Sequence, residues 1–206
     1  MVAYNLSHLS QKEDQDLLGP IQDDEALFLY SLIRVTQIRR VLEIGGFQGY
    51  SAANFCAAVG EHGIVFSVDL NQVPLVAANH VTIQKDAGLV SATDVGGKPL
   101  DLVFFDCHDY SAQLNLFHRL RREFIITDDT LLSFHDTNLH PKQIVGWAYP
   151  VEDGWVHQNV ERRMVNELKQ LGYDALVLGT SMAAHGPHLP FRHGLTIMKK
   201  FRPLAI

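Results

Sequence analysis

The chain has 206 residues, enough for one sizeable domain with its own core and too few for two. Its 17 Lys and Arg stand against 23 Asp and Glu, for a net charge of -6, and no basic run exceeds a pair, which argues against a nucleic-acid partner. Hydrophobic residues make up 47% and charged residues 19%, which excludes disorder, and no apolar stretch approaches the ~18 residues that cross a bilayer, so no membrane partner is expected. Two cysteines, Cys56 and Cys107, and an N-terminus without a basic segment before an apolar block lead us to expect a reduced, cytoplasmic protein.

After an N-terminal extension over 1–20, residues 22–39 set Ala26, Leu27, Tyr30, Leu32, Ile33 and Ile38 on a broad stripe, with acids at the start. That pattern predicts an amphipathic helix, which covers either a sheet or a second copy of the chain, so a homodimer stays open. Arg40–Ile44 reads as a short buried strand, followed by a glycine cluster and a small-residue helix over Ser51–Val59. Ile64–Asp69, Val81–Gln84 and the apolar run Leu100–Asp106 read as strands two to four, and Tyr110–Arg122 as a helix. Thr130–Asp136 reads as strand five and Val156–Leu171 as a long helix stopping at Gly172. Tyr173–Gly179 and Leu195–Phe201 supply the last strands. Apolar runs of this kind suit strands covered by helices on both faces. The βαβ rhythm predicts a single α/β domain over 1–206: a Rossmann-like, doubly wound, seven-stranded and mostly parallel sheet. Its ligands should bind beyond the carboxyl ends of the strands.

Where strand one meets the next helix, Val41-Leu42-Glu43-Ile44-Gly45-Gly46-Phe47-Gln48-Gly49-Tyr50-Ser51 places three glycines and a hydroxyl in one turn. Glycines there permit a sharp turn and a close approach of backbone to ligand. Asp69 closes strand two, where a carboxylate can accept both hydroxyls of a ribose. The combination points to an adenosine-containing ligand. It fits a dinucleotide poorly, because a G-x-G turn would have glycine where Phe47 stands.

The stretch E-x-G-x-x-x-G-Y-S resembles the S-adenosylmethionine site of class I methyltransferases, in the form of the catechol- and caffeoyl-CoA-type O-methyltransferases. It equally resembles macrocin-type sugar O-methyltransferases and cephalosporin hydroxylase proteins. The likeness covers about 22–201 in element order and implies a reversed hairpin at the C-terminal edge of the sheet. By position it implies that Glu43 orients the methionine amino group through the turn, and that Gly45, Gly46 and Gly49 allow close approach. It also implies that Ser51 bonds the methionine carboxylate and Asp69 the ribose, with Asp106 lining the same cofactor site. Asp86 falls where the family meets the adenine amino group, and equally where a side chain would cap a helix beginning at Ala87.

A second constellation lies at the ends of strands four and five, in Asp106-Cys107-His108-Asp109 and His135-Asp136-Thr137. Clustered carboxylates repel one another unless a cation, a proton or a ligand intervenes. Metal-dependent relatives hold Mg²⁺ with acids at these places, which makes Asp106, His135 and Asp136 the expected ligands. The nitrogen at 135 leaves Mn²⁺, Fe²⁺ and Zn²⁺ as open as Mg²⁺. The alternative is a pair of capping acids beside a hydrogen-bonded histidine.

The lysine that serves catechol-type enzymes three positions after the strand-four Asp is replaced by Asp109, which stands as a catalytic candidate beside two histidines. His108, directly after the rim, is the first candidate base and His135 the second, a histidine being half-neutral near physiological pH. His8, His62, His80 and His118 read as surface or helix residues without function. Two long connections border the same rim: 137–155 with Trp147, Tyr149 and Trp155, and 181–193 with His185, His188 and His193. Their side chains are either walls of the site or plain surface. The function expected is methyl transfer from S-adenosylmethionine to a hydroxyl of a small-molecule acceptor, with a divalent metal as a further candidate cofactor. The alternatives are a metal-binding or oxygenase-like relative and a non-catalytic protein that binds an adenosine ligand.

Overall fold

The computed structural model describes residues 21–137, 148–151, 154–157, 160–179, 191 and 194–201. The extension 1–20, Trp147 and the histidines 185, 188 and 193 lie outside the described residues.

The first helix, α1 (Asp23–Thr36), opens on Asp23, Asp24 and Glu25, acids that suit the positive end of a helix. It stops at Gln37, which takes a left-handed φ of 58°, so the helix is shorter at its C-terminal end than the 22–39 stripe. Ala26, Leu29, Tyr30 and Ile33 are buried in one apolar cluster with Phe55, Ala58 and Val59 of α2 (Tyr50–Val59) and Val41 of β1 (Arg40–Ile44). The stripe thus covers the sheet and its neighbour helix within one chain. Crossovers by α2 and by the connection after β2 (Ile64–Asp69) make β1, β2 and β3 (His80–Gln84) parallel. The chain then crosses to the other side of β1 through β4 (Leu102–Phe105), α3 (Tyr110–Arg122) and β5 (Leu131–Phe134).

β4 shows why its apolar run belongs in the sheet centre. All four residues are buried, and period-two alternation sends Phe104 to one face and Phe105 to the other. Phe104 meets Phe55 edge-on at 5.2 Å, while Phe105 stacks on Phe134 at 4.6 Å. The strand is two residues shorter at its start than the run Leu100–Asp106, because Leu100 pairs instead with the carbonyl of Ile125.

A hairpin of β6 (Ala148–Val151) and β7 (Gly154–His157) occupies the expected long loop. Consequently α4 (Val160–Gln170) begins four residues later than the stripe from Val156 predicts. The chain ends with β8 (Tyr173–Leu178) at the sheet edge and β9 (Leu195–Lys200) inserted antiparallel between β8 and β5. The sheet order β3-β2-β1-β4-β5-β9-β8 reverses at β1 and β4, so the strands on either side of that point carry the two halves of the site. No helix among the described residues is long and apolar enough to cross a membrane.

Candidate active site

The glycine turn leaves the end of β1 with three unusual dihedrals: Gly45 at φ 96°, Phe47 at φ 41° and Gly49 at φ 80°. Gly45 has a steric reason besides its dihedral. A Cβ there would lie 2.4 Å from the carbonyl oxygen of Asp106, at the end of the neighbouring β4. Gly46 is similarly confined, since a Cβ would fall 2.7 Å from Val73. These two glycines therefore let β1, β4 and the connection after β2 close on one another. Phe47 itself projects into solvent, 69% exposed.

Asp69 anchors the turn from β2. Its Oδ2 accepts the backbone N–H of Phe47 at 3.0 Å and its Oδ1 that of Asn71 at 2.9 Å. Each oxygen keeps acceptor capacity, and the side chain is half-buried. Glu43 sits beneath the turn, wholly buried, accepting one hydroxyl from Ser51 and one from Ser67. Burial pushes its carboxyl up to about 7 despite those two hydrogen bonds. Asp86 caps a short 3-10 turn over Ala87–Leu89, taking the N–H of Gly88 at 2.7 Å.

The second half of the site is a rim of acids and histidines beyond β4 and β5. Asp106, His108 and Asp136 each bring a ligand-type atom within 4.8 Å of the others. His108 Nε2 stands 3.6 Å from both Asp106 Oδ1 and Asp136 Oδ2. Its Nδ1 and its backbone N–H both reach Glu161 Oε1, at 3.1 Å each. His108 and Asp136 hold left-handed backbones, φ 53° and 56°, an uncommon state for such residues that turns their side chains toward each other. Asp109 does not join the group; exposed, it caps α3 by accepting the N–H of Ala112.

His135, expected as a ligand, sits deeper than the rim, wedged between its acids and α1. Its ring is fully buried, with Nδ1 3.1 Å from Asp106 and Nε2 3.0 Å from Glu25 on α1. Its Nδ1 also lies 3.3 Å from Asp136 Oδ1, so both rings face that acid, but among the described residues the group whose ligand atoms all converge takes its one imidazole from His108, beside the two carboxylates. That is unlike the two-histidine, one-carboxylate set of non-haem iron centres.

Charge explains the protonation of the rim. Burial alone would lower His108, but Glu161, Asp106 and Asp136 outweigh it and push the ring up to about 9. His135 likewise stands well above its ordinary value, burial being overcome by Asp136, Asp106 and Glu25. Asp106 is pushed up to about 6 by burial, against the pull of His135 and His108. Without a cation on the rim, these acids favour the imidazolium form of His108 at neutral pH, where the sequence led us to expect a half-neutral base.

Two members of this group, Glu25 and Glu161, were missed by sequence reasoning, although a signal existed. Each is an acid inside the apolar stripe of an amphipathic helix: Glu25 among Ala26, Leu29 and Ile33, and Glu161 among Met164, Val165 and Leu168. An acid on a buried stripe needs a buried partner. His80 is the other correction: it is a buried residue opening β3, 4% exposed, whereas His62 and His118 are exposed as expected.

The family described as O-methyltransferase matches residues 5–119. The chain is similar in structure to the O-methyltransferase TomG of Streptomyces achromogenes, solved with SAM, at 18% identity and TM-score 0.62, covering 95% of this chain and 90% of that one. Cofactor-bound Rv0187 from MTB is 18% identical with TM-score 0.64, over 94% and 87% of the two chains. The O-methyltransferase of Bacillus cereus, solved with SAH, is 14% identical with TM-score 0.61, over 89% and 84%. No curated protein matches the sequence. The structural likeness confirms a methyltransferase-like fold, and because the family match spans more than half of the residues, the chain belongs to the O-methyltransferase family.

Proposed function

We propose that the chain transfers a methyl group from S-adenosylmethionine to a hydroxyl of a small molecule, with a divalent cation on the acid–histidine rim. One observation carries this reading. The glycine turn with Asp69, and the rim of Asp106, His108 and Asp136, meet across the contact between Gly45 and the Asp106 carbonyl. A ligand held by the first half would present its far end to the second. The cofactors bound in TomG and in the Bacillus cereus enzyme support the identity of that ligand.

When bound, S-adenosylmethionine supplies a methyl group on a positively charged sulfur, which an oxygen nucleophile displaces in line. This chain's residues bind, orient and manage protons around that event. Asp69, already oriented by the amides of Phe47 and Asn71, offers its remaining lone pairs to two ribose hydroxyls. Glu43 is too deep to touch a ligand and braces the turn from below through Ser51. Asp86, at the end of β3, is assigned to the adenine edge while its Oδ1 caps the following turn.

The rim fits a divalent cation. Two carboxylates and one imidazole converge there, and a further buried oxygen, Oε2 of Glu161, has no hydrogen-bond partner among the described residues. Mixed oxygen and nitrogen donors suit Mn²⁺, Fe²⁺ or Zn²⁺ at least as well as Mg²⁺. A cation there would stabilise negative charge on the acceptor oxygen. Without it, His108 holds a proton until about pH 9 and serves as a hydrogen-bond donor at neutral pH, not as a base.

Calorimetry with S-adenosylhomocysteine and with NAD, each with Mn²⁺ or EDTA, tests the reading, followed by transfer of labelled methyl to a panel of phenols and sugars. Micromolar binding of S-adenosylhomocysteine without NAD binding is expected. Tight NAD binding, or no binding of S-adenosylhomocysteine, refutes it.

A further inference from the structure

Behind the glycine turn runs a line of hydrogen bonds whose direction is fixed at one end. The backbone N–H of Val76 donates to His80 Nδ1 at 3.3 Å, so Nδ1 carries no proton. A neutral ring must then hold its proton on Nε2, which lies 2.8 Å from Ser67 Oγ and donates to it. The Ser67 hydroxyl donates onward to Glu43 Oε2, while Ser51 donates to Glu43 Oε1. All four side chains are buried, and burial lowers the proton affinity of His80, in keeping with a neutral ring.

The fixed end belongs to the segment that walls the turn. A Cβ on Gly46 would fall 2.7 Å from Val73, and one on Gly49 2.9 Å from Val76. Asn79, just before His80, also donates its side-chain amide to the carbonyls of Cys56 and Gly60 at the end of α2. Residues 73–80, the glycine turn and the first turn of α2 therefore close a ring around Glu43.

We propose that His80 is a positioning residue of the cofactor site: through Ser67 it favours the ionised form of Glu43, which accepts the hydroxyls of Ser67 and Ser51 and so braces the glycine turn. This rests on the cofactor reading above.

The test combines binding and spectroscopy on the full chain. Ring ¹⁵N shifts of wild type should report His80 protonated on Nε2. His80→Phe, which keeps the bulk and loses the donor, should raise the Kd for S-adenosylhomocysteine roughly tenfold. His80→Gln, whose amide can reach Ser67, should recover most of that loss. In a Ser67→Ala background His80→Phe should add little, because the relay is already cut. An Nδ1-protonated ring overturns the proposal, as do unchanged binding by His80→Phe, failure of the Gln variant to recover it, or fully additive losses. Should His80→Phe fold poorly, the Gln and Ser67→Ala variants with the ring shifts decide the matter. A wild-type chain that does not bind S-adenosylhomocysteine overturns the cofactor reading itself, and this proposal with it.

Discussion

Raising the pH should destabilise this chain in large part through His108. The ring is 12% exposed, touches Glu161 at 3.1 Å and stands 3.6 Å from Asp106 and Asp136, which together hold it protonated to about pH 9 against the 6.5 of a free histidine. A histidine whose folded value is raised contributes stability that is fully present below 6.5 and lost as pH climbs through the folded value. The gap from 6.5 to about 9 amounts to roughly 3 kcal/mol. Urea titrations in EDTA at half-unit steps from pH 6 to 9.5 should show that fall. Glu161→Gln keeps the shape of the contact and removes the nearest charge, so its fall should be smaller than that of wild type by about 1–2 kcal/mol, the other two acids and His135 remaining. Subtracting the variant from wild type also cancels the alkaline titration of Cys56 and Cys107, both pushed up to about 12. A flat wild-type profile, or an equal fall in Glu161→Gln, would refute the electrostatic account of the rim.

Asp69→Ala should weaken S-adenosylhomocysteine by about 1.5–3 kcal/mol, the usual worth of a hydrogen bond to a charged group, read by calorimetry. EDTA, or Asp106→Asn, should lower kcat far more than it changes S-adenosylhomocysteine affinity; a joint loss would make the rim structural. Mn²⁺ at a hundred times its Kd should stabilise the chain by about 2.7 kcal/mol at pH 8 in urea titration, with a smaller gain at pH 6, where the proton on His108 competes. Gly45→Ala should cost at least ~2 kcal/mol in stability, since the new Cβ needs both a left-handed dihedral and the space of the Asp106 carbonyl.

Local patterns made the scaffold legible. β1 and β2 occur at Arg40–Ile44 and Ile64–Asp69, and α3 at Tyr110–Arg122, because apolar runs and helical stripes there agree with the burial they find. The β6–β7 hairpin was not legible: its only sequence traces, Tyr149-Pro150-Val151 and Trp155-Val156, are shorter than a reliable strand signal. Nor could spacing show that His108 joins Asp106 and Asp136 in one converging group. Neighbours in sequence point to opposite faces at a strand end, so His135 turns inward to Glu25, while the left-handed backbone at His108 swings that ring onto the rim. Those facts belong to tertiary structure. The same holds for Ser67 and His80, ordinary strand residues until β2 and β3 pair and bring them under Glu43.

The two halves of the site manage charge differently, and the difference argues for the cation. Beneath the turn, Glu43 is a buried acid held by two neutral hydroxyls, and its value is raised chiefly by burial, with smaller pushes from Asp106 and Asp69, against those two hydrogen bonds. On the rim, four carboxylates (Glu25, Asp106, Asp136 and Glu161) face two histidines. Carboxylates there outnumber imidazoles two to one, in a place where little water reaches them. Evolution of a purely structural rim would replace an acid with a neutral partner, since a buried excess of charge is destabilising. A divalent ion that takes the place of the proton His108 otherwise carries would bring two positive charges for the one it removes. Binding should therefore release a proton near neutral pH, and calorimetry in buffers of different ionisation enthalpy would show the rim working as a cation site if the apparent heat changes with the buffer.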